Sequence, residues 1–354
     1  MANKKPRYYS LKNILKEDSP YNIILGERSN GKSYGVKGFC IKEAYNNGDE
    51  FIYLRRYELE VKAVDVESYF ADSPISEYTN GEYETVTVWR KGIYLANYDD
   101  DGKIVRGKKI GYCMALSAST HYKSTQYPFV KYMIFEEFVT DGLYLQNECN
   151  LLMQLVSTVY RNRKDGKVFL IGNTISRVCP YFYEWELRGI PKQKQGTIEN
   201  YFHYFDDKEI KISVEFAEQS NIKNTMFFGK SAEQIVTGAW KSEAHPHLPK
   251  EYGNYKKLYE IRYLYKDFDF ILELLRDKKE KYILLFIHPN TKHRECDRTI
   301  SNIYSPSPLV SSSLTKLTNG DILIKELFES DKAVYSDNLT GSDFIQIIKQ
   351  KGGI

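Results

Sequence analysis

Cysteine is scarce in this sequence, and no two cysteines form a Cys-x-x-Cys pair. The chain has 354 residues and only five cysteines, which are widely spaced. This spacing argues against a zinc site and against a disulfide framework. A chain of this length can bury a core large enough to be stable without cross-links. We therefore expect reduced thiols and a cytoplasmic protein.

Long apolar runs and a strong excess of one charge are also missing. No apolar stretch reaches the ~18 residues of a membrane-spanning helix. The basic N-terminus is not followed by the apolar segment of a secretory signal. These absences predict a protein that is not secreted and has no membrane partner. The formal net charge is only +3, so any contact with nucleic acid must come from local basic clusters.

Apolar strands alternate with helical patterns in the first part of the chain. The apolar runs are Tyr21–Leu25, Phe51–Leu54, Tyr132–Phe135 and Val168–Ile171. Almost continuous apolar strands separated by helices are typical of a parallel sheet covered on both faces. We therefore predict an α/β domain at residues 1–205. A helical linker is expected at 206–250, followed by a smaller α+β domain at 251–354.

The most specific motif is a glycine-rich loop that follows the first apolar run. It fits the pattern G-x-x-x-x-G-K-[ST] at every fixed position. The glycines let successive backbone N–H groups face an anion, and the following helix adds the positive end of its dipole. A chance match in a solvated turn is the alternative. The residues predicted to bind nucleotide are Gly26, Glu27, Arg28, Ser29, Asn30, Gly31, Lys32 and Ser33.

Two glutamates follow the apolar run that ends at Phe135. Ligands of open α/β sheets bind at the carboxyl ends of the strands, which is where Glu136 and Glu137 are expected. Glu136 and the Ser33 hydroxyl are the predicted ligands of Mg²⁺, and Glu137 is predicted to orient the attacking water of ATP hydrolysis. A solvated strand end is the alternative.

Other polar residues at element ends are weaker candidates. Arg161 follows a helix, where an arginine can act as a finger toward a neighbouring subunit or can simply complement the helix dipole. Lys123, in the loop before the acidic strand, is a second trans-acting candidate. Asn173 is predicted to sense the γ-phosphate, or alternatively to favour a turn.

Several positions near these elements are candidates for contact with DNA. Arg55 and Arg56 end the second apolar run and are predicted to face either the nucleotide or DNA. Lys62 and the loop from Thr140 to Gln146 are further candidates for contact with DNA. None of these positions carries a specific motif.

In roughly its first 200 residues the chain resembles the genome-packaging motor ATPases of small short-tailed phages of the phi-twenty-nine type. The resemblance is carried by NIILGERSNGKSYGVK, EFIYLRRYELE, VKYMIFEEF, STVYRNR and VFLIGNTISRVCPYF. It implies a P-loop ATPase domain of the ASCE class, a small linker and a degenerate ribonuclease H-like C-terminal domain. It also implies that Lys32, Glu137 and Arg161 take the family's catalytic roles, with Lys123 as the matching lysine. Glu136 replaces the aspartate that is usual in the family.

The resemblance further implies a function and a set of partners. The implied protein hydrolyses ATP with Mg²⁺ and drives double-stranded DNA through a homomeric ring, a pentamer, at the portal vertex of an empty capsid. The portal protein is then a partner, and a packaging RNA is a further candidate.

Two other functions stay open at this point. The first is a terminase-like motor whose C-terminal domain also cuts DNA, for which Asp267, Asp269 and Asp297 are available carboxylates. The second is a nucleotide-gated assembly factor that binds DNA without useful turnover. Ordinary surface acids and solvated lysines are the alternative reading of the C-terminal residues.

Overall fold

The chain forms two compact units in a computed structural model, which describes residues 9–205, 208–218, 240, 243–294, 296, 298–301, 305, 307, 309–312 and 318–351. The first unit comprises Met1–Ile175 and Pro180–Trp240. The second comprises Ser176–Cys179 and Lys241–Ile354. The short segment Ser176–Cys179 therefore belongs to the second unit, although the chain on both sides of it belongs to the first.

A nine-stranded sheet forms the centre of the first unit, with the order β3-β4-β5-β2-β6-β7-β1-β9-β8. The central strands β5, β2, β6, β7, β1 and β9 pair in parallel, whereas β3-β4, β4-β5 and β8-β9 are antiparallel. The mainly parallel α/β fold is therefore confirmed. The strands are β1 Tyr21–Gly26, β2 Glu50–Arg55, β3 Thr85–Trp89, β4 Gly92–Tyr98, β5 Ile104–Ala115, β6 Val130–Glu136, β7 Lys167–Asn173, β8 Thr197–Phe205 and β9 Lys208–Phe216.

Helices connect these strands, and their apolar sides bury the sheet. Residues such as Val36, Cys40 and Ile41 of the second helix pack in the same core as Ile24, Phe51 and Ile134 of the sheet. The helices are α1 Lys12–Lys16, α2 Lys32–Asn47, α3 Ala63–Phe70, α4 Ile75–Tyr78, α5 Glu148–Tyr160 and α6 Pro180–Glu184. Short 3-10 helices span Glu58–Val61, Leu116–Tyr122 and Ile190–Lys192.

Strand register decides which residues meet at the carboxyl edge of the sheet. Gly26 at the end of β1 pairs with Asn173 at the end of β7. Glu136 at the end of β6 pairs with Ile171, and Leu54 in β2 pairs with Phe135. The glycine-rich loop, the two glutamates and Asn173 therefore emerge on one edge, as the sequence predicted.

The structure differs from the predicted boundary between the first domain and the linker. Strand β9 begins at Lys208 and pairs in parallel with β1 beside the glycine-rich loop. The predicted linker at 206–250 therefore begins inside the sheet. Its apolar residues are mixed with charges, which hid the strand from the sequence reading. Residues 219–239 of the predicted helical linker lie outside the described residues.

The second unit contains a six-stranded sheet with the order β14-β13-β10-β11-β12-β15. Strand β11 pairs antiparallel with both β10 and β12. Strand β13 pairs in parallel with β10, and β14 pairs in parallel with β13. The strands are β10 Tyr255–Tyr265, β11 Phe268–Asp277, β12 Ile283–Pro289, β13 Thr299–Ser301, β14 Val310–Ser311 and β15 Ala333–Tyr335.

Two helices cover one face of this second sheet. They are α7 Asn319–Glu329 and α8 Asn338–Lys351. Ile324 and Phe344 of these helices lie in one core cluster with Ile261 and Leu272 of the sheet. Thr318 begins α7 with a capping box, because its hydroxyl accepts from the Asp321 N–H and Asp321 in turn accepts from the Thr318 N–H.

No described helix is both long enough and apolar enough to span a lipid bilayer.

Candidate nucleotide-binding site

The glycine-rich loop leads directly into helix α2. Gly31 has a φ of 91°, a left-handed value that disfavours a side chain. Helix α2 begins at the next residue, and the Gly35 N–H donates to the Gly31 carbonyl at 2.8 Å. The Lys32 N–H donates to Asn30 Oδ1 at 3.2 Å. The first N–H groups of a helix have no partner within the helix, which makes this end of α2 suited to an anion.

Lys32 is buried at the floor of this loop, with 4% of its surface exposed. Its Nζ donates to the Glu27 carbonyl at 2.5 Å, to Asn30 Oδ1 at 3.1 Å and to Asn173 Oδ1 at 3.3 Å. Burial lowers the pKa of Lys32 to about 7, although the charges of Glu27 and Glu136 oppose the shift. An amine surrounded by neutral oxygens is ready to exchange them for phosphate oxygens.

The loop and the glutamates line one cavity of about 350 Å³. This is the arrangement on which the nucleotide interpretation depends, since a nucleotide must contact both elements at once. The lining residues are Lys32, Ser33, Lys37, Arg55, Tyr69, Glu136, Glu137, Ile171, Gly172 and Asn173.

Glu136 is held at the end of β6 with 8% of its surface exposed. The Tyr53 hydroxyl on the neighbouring strand donates to Glu136 Oε2, and Arg55 Nη1 lies 3.9 Å from the same oxygen. The Glu136 carboxylate raises the pKa of Tyr53 further after burial has raised it, so the phenol stays protonated and remains a donor. One oxygen of Glu136 is thereby fixed, which leaves Oε1 for another ligand.

Glu137 has the opposite exposure, since 62% of its side chain is accessible. Its φ of 54° is unusual for a residue with a Cβ and turns the chain sharply after β6. Arg55 Nη2 lies 2.8 Å from Glu137 Oε2 and 2.7 Å from Glu60 Oε1. Arg55 therefore ties the Glu137 carboxylate to β2.

Arg56 supports the backbone of the same turn from below. Its guanidinium donates to the carbonyls of Glu137 at 3.1 Å and Phe138 at 2.8 Å. It also donates to both carboxylate oxygens of Glu148, whose side chain is fully buried, at 2.8 and 3.1 Å. This network fixes the strained conformation of Glu137, a role that no sequence pattern indicated.

The burial of Arg55 and Arg56 argues against their predicted contact with DNA. They are 7% and 5% exposed, Arg55 Nη2 donates to two carboxylates, and Arg56 donates to the Glu148 carboxylate and to two carbonyls. The other predicted orientation, toward the nucleotide, fits Arg55, which lines the cavity. Lys62 is exposed at the start of α3, and its position stays compatible with a contact to DNA.

Arg161 and Lys123 lie outside the cavity on two adjacent segments. Both are exposed, and neither side chain pairs with another described residue. Helix α5, which ends before Arg161, packs against the 3-10 helix that ends before Lys123. Arg163 has a different environment, because its guanidinium donates to the carbonyls of Pro128 and Val130 at 2.9 and 2.5 Å. Of the two arginines, Arg161 is the exposed one whose side chain has no described partner.

Two cavity residues escaped the sequence reading. Lys37 lies one helical turn after Ser33, and its Nζ donates to the Tyr69 carbonyl. Tyr69 packs under Arg55, whose Cζ is 5.3 Å from the ring centroid. The i, i+4 spacing from Ser33 could have indicated Lys37, whereas Tyr69 is brought in only by tertiary packing.

The acids available for a C-terminal nuclease do not form a metal site among the described residues. Arg262 holds Asp269 with two hydrogen bonds of 2.9 and 2.8 Å, and Asn290 donates to the same carboxylate. Asp267 also has a partner, and Asp297 lies outside the described residues. In the described part of the chain, no three metal-ligating side chains converge.

Known proteins similar to this chain are phage packaging proteins. The DNA packaging protein of Bacillus phage B103 is 34% identical over 172 residues, which are 48% of this chain and 49% of that protein. The aligned segment thus spans about half the length of that relative. The DNA packaging protein of Bacillus phage PZA is 28% identical over 267 residues, which are 73% of this chain and 74% of that protein.

A solved structure of the phi29 viral genome packaging motor assembly has the same fold, with a TM-score of 0.56 and 22% identity over 97% of this chain and 99% of that chain. The model of the podovirus DNA encapsidation protein family, Gp16, matches residues 3–241, which is more than half of the sequence. The resemblance noted from the sequence is thereby confirmed, and the chain belongs to the podovirus DNA encapsidation protein (Gp16) family.

Proposed function

We propose that this chain is an ATP-hydrolysing motor subunit that drives double-stranded DNA into a preformed capsid. The observation that carries the proposal is the single cavity lined by Lys32, Ser33, both glutamates and Asn173. Membership of a DNA encapsidation family supports the identity of the cargo. The work takes place in the host cytoplasm, where the subunits assemble transiently on the portal vertex.

Each residue of the cavity has a role that its geometry supports. The loop N–H groups bind the phosphates, and Lys32 pairs with the β- and γ-phosphates. Asn173 already contacts the Lys32 amine at 3.3 Å, so it is placed to respond when that amine moves to a phosphate. ATP hydrolysis needs positioning and charge stabilisation more than covalent chemistry, and these groups supply both.

The residues present also fit a magnesium ion. Mg²⁺ prefers hard oxygen ligands, and when bound it would supply positive charge that stabilises the phosphates during transfer. The Ser33 hydroxyl and Glu136 Oε1 would hold it, because Tyr53 and Arg55 engage only the other oxygen of Glu136. This division explains how glutamate can serve where the family usually has aspartate.

The ion pair between Arg55 and Glu137 must open before Glu137 can act as the catalytic base. While Arg55 holds Glu137 at 2.8 Å, the carboxylate is neutralised and directed toward β2. Glu137 must leave this ion pair, at least in part, to polarise a water molecule at the γ-phosphate. The ion pair therefore restrains hydrolysis until the site is rearranged.

A ring of identical subunits, which we propose to be a pentamer, would complete the site. Arg161 and Lys123 are exposed cations without described partners, as groups that act on a neighbour's γ-phosphate must be in an isolated subunit. The portal protein is the proposed docking partner, and a packaging RNA is a further one.

The hydrolysis proposal is tested by measuring phosphate release with DNA and portal present. Lys32→Ala should abolish nucleotide binding, and Glu137→Gln should retain binding while lowering turnover by roughly 100-fold or more. Turnover that stays at the parent level in both variants would overturn the proposal. ATP binding without release in the parent protein would instead favour a nucleotide-gated assembly factor.

Trans action is tested with mixed rings. Subunits carrying Arg161→Ala and subunits carrying Glu137→Gln should each be inactive alone, and mixtures should regain part of the activity, because some interfaces then pair an intact arginine with an intact glutamate. Lys164→Ala is the matched control, since Lys164 is an exposed cation close by on the same segment. A mixture as inactive as its components would exclude the finger role of Arg161.

A further inference from the structure

The hairpin formed by β3 and β4 carries an unusual turn at the carboxyl edge of the first sheet. Trp89 pairs with Gly92, so Arg90 and Lys91 alone form the turn. Their φ values are 46° and 67°. Two-residue turns of this kind favour Asn-Gly, because a left-handed backbone is unfavourable for a residue with a Cβ. Folding of the hairpin thus gives no reason for two cations at these positions.

An exposed tryptophan organises the cations around this turn. Trp89 is 45% exposed. The guanidinium carbons of Arg90 and Arg106 lie 4.5 and 4.1 Å from its ring. Stacking on an indole restrains a guanidinium while it leaves the N–H groups at the guanidinium edge free. Lys91 is oriented in a similar way, with Nζ 5.0 Å from the Tyr122 ring.

These cations lack counter-charges within the described part of the chain. Arg90, Lys91 and Arg106 are all exposed, and none forms an ion pair or a side-chain hydrogen bond with another described residue. The neighbouring lysines of β5 differ in this respect. Lys108 donates to the Tyr45 carbonyl at 2.7 Å, and Lys109 pairs with Glu50 at 3.2 Å.

The acids around this hairpin do not form ion pairs with the three cations. Glu84 accepts from the Tyr98 N–H at the opposite end of β4, and Asp101 pairs with Lys103 at 3.3 Å in the turn at that end. Glu67 lies closer, since it accepts from the Thr87 hydroxyl and the Val88 N–H at 2.8 and 2.9 Å, but it forms no ion pair with a described residue. The Trp89 end of the hairpin therefore combines one aromatic ring with three cations that have no described ion-pair partner.

We propose that the surface formed by Trp89, Arg90, Lys91 and Arg106 binds the phosphodiester backbone of a nucleic acid. Guanidinium forks match phosphate oxygens in a bidentate geometry, and the indole preorganises both forks. Three exposed cations without described ion-pair partners match the repeated negative charge of a phosphodiester backbone. The choice of nucleic acid rests on the proposed function, but binding at this surface requires no ATP hydrolysis.

The test measures the affinity of the full chain for a short labelled DNA duplex by fluorescence anisotropy, without nucleotide, over a series of salt concentrations. Arg90→Gln and Arg106→Gln should each weaken binding and make the slope of log K against log salt shallower by about 1, because each removes one phosphate contact. Trp89→Leu should weaken binding and leave the slope nearly unchanged, since the indole positions the arginines and carries no charge.

Lys103→Gln is the matched control, because it removes an exposed cation just before β5 that already has a partner. It should leave both affinity and slope at the parent values. Unchanged affinity and slope in both arginine variants would overturn the proposal. So would equal competition by poly-glutamate at matched charge, which would indicate an acidic protein partner.

Duplex DNA, single-stranded DNA and RNA of equal length are compared in the same assay. The nucleic acid whose salt slope changes in the arginine variants is the one whose backbone binds this surface. If the slope changes for none of the three nucleic acids, the result counts against the proposal. ATP turnover of each variant is measured in parallel. A variant that loses nucleic acid binding but keeps ATP turnover would show that this surface acts separately from the nucleotide cavity. Absence of ATP turnover in the parent protein would refute only the hydrolysis proposal.

Discussion

Nucleotide binding should take up a proton at Lys32. Burial lowers the pKa of this amine to about 7 in the free protein. At pH 8 only about one tenth of the free protein then carries a charged Lys32. Pairing with phosphates restores the charged form, so binding of a Mg-nucleotide at pH 8 should consume about 0.9 proton per site. The nucleotide itself contributes little, because the last phosphate pKa is about 6.

The same linkage sets the pH dependence of affinity. Above the pKa of the free protein, affinity should fall by up to about tenfold per pH unit, which amounts to about 50-fold between pH 7 and pH 9. For the unliganded chain the sign is opposite. The folded state binds fewer protons at Lys32 than the unfolded state does between pH 7 and 10.5, so this residue's contribution to the free energy of unfolding rises with pH across that window.

Isothermal titration with a non-hydrolysable ATP analogue in buffers of different ionisation enthalpy measures the proton uptake directly. The observed enthalpy should depend on the buffer at pH 8, with a slope near 0.9, and should depend less at pH 6. Lys32→Arg is the control, since a guanidinium remains charged throughout this range. A slope of zero at pH 8 together with a flat affinity from pH 7 to pH 9 would refute the reasoning.

Three further predictions concern the residues that support the sites. Arg56→Met should lower the free energy of unfolding by about 3–5 kcal/mol in urea titrations, because Glu148 is left buried without its partner. The double variant Arg56→Met with Glu148→Leu should recover part of this loss. A cost below about 1 kcal/mol for the single variant would contradict a stabilising role of the Arg56–Glu148 pair. Arg55→Met should raise ATP turnover without DNA several-fold, since Glu137 is released, whereas a fall to the Glu137→Gln level would mean that Arg55 takes part in the chemistry. Thr318→Ala should cost about 1 kcal/mol of stability through the lost helix cap, and Thr318→Ser should restore it, as calorimetry can check; equal melting temperatures for the two variants would disprove the capping role.

Much of the nucleotide site could be predicted from local sequence. The glycine-rich loop is contiguous, and its function lies in backbone conformation and in residues fixed by their spacing from it. Glu136, Glu137 and Asn173 could be predicted because each directly follows an apolar run, and parallel strands bring their carboxyl ends to one edge.

Other residues could not be placed from the sequence. Arg55 and Arg56 are adjacent, yet Arg55 reaches the cavity and Arg56 supports the backbone of Glu137 and Phe138. The strand ends at Arg55, and the partners of both side chains come from distant segments of the chain. Arg161 and Arg163 look alike in YRNR, but only Arg163 is bound by carbonyls of another segment. Strand β9 was missed because its place beside β1 depends on the fold and not on its own pattern.

The sequence by itself therefore determined the chemistry of phosphate binding and the order of strands and helices, since both depend on short-range spacing and backbone geometry. Only the tertiary structure decided which cations form ion pairs and hydrogen bonds with internal carboxylates and carbonyls and which remain available to a ligand. The physical reason is that a charged side chain is committed by the partners around it, and those partners come from segments far apart in the chain. Arg106 beside Trp89 and Arg56 beside Glu148 represent the two outcomes.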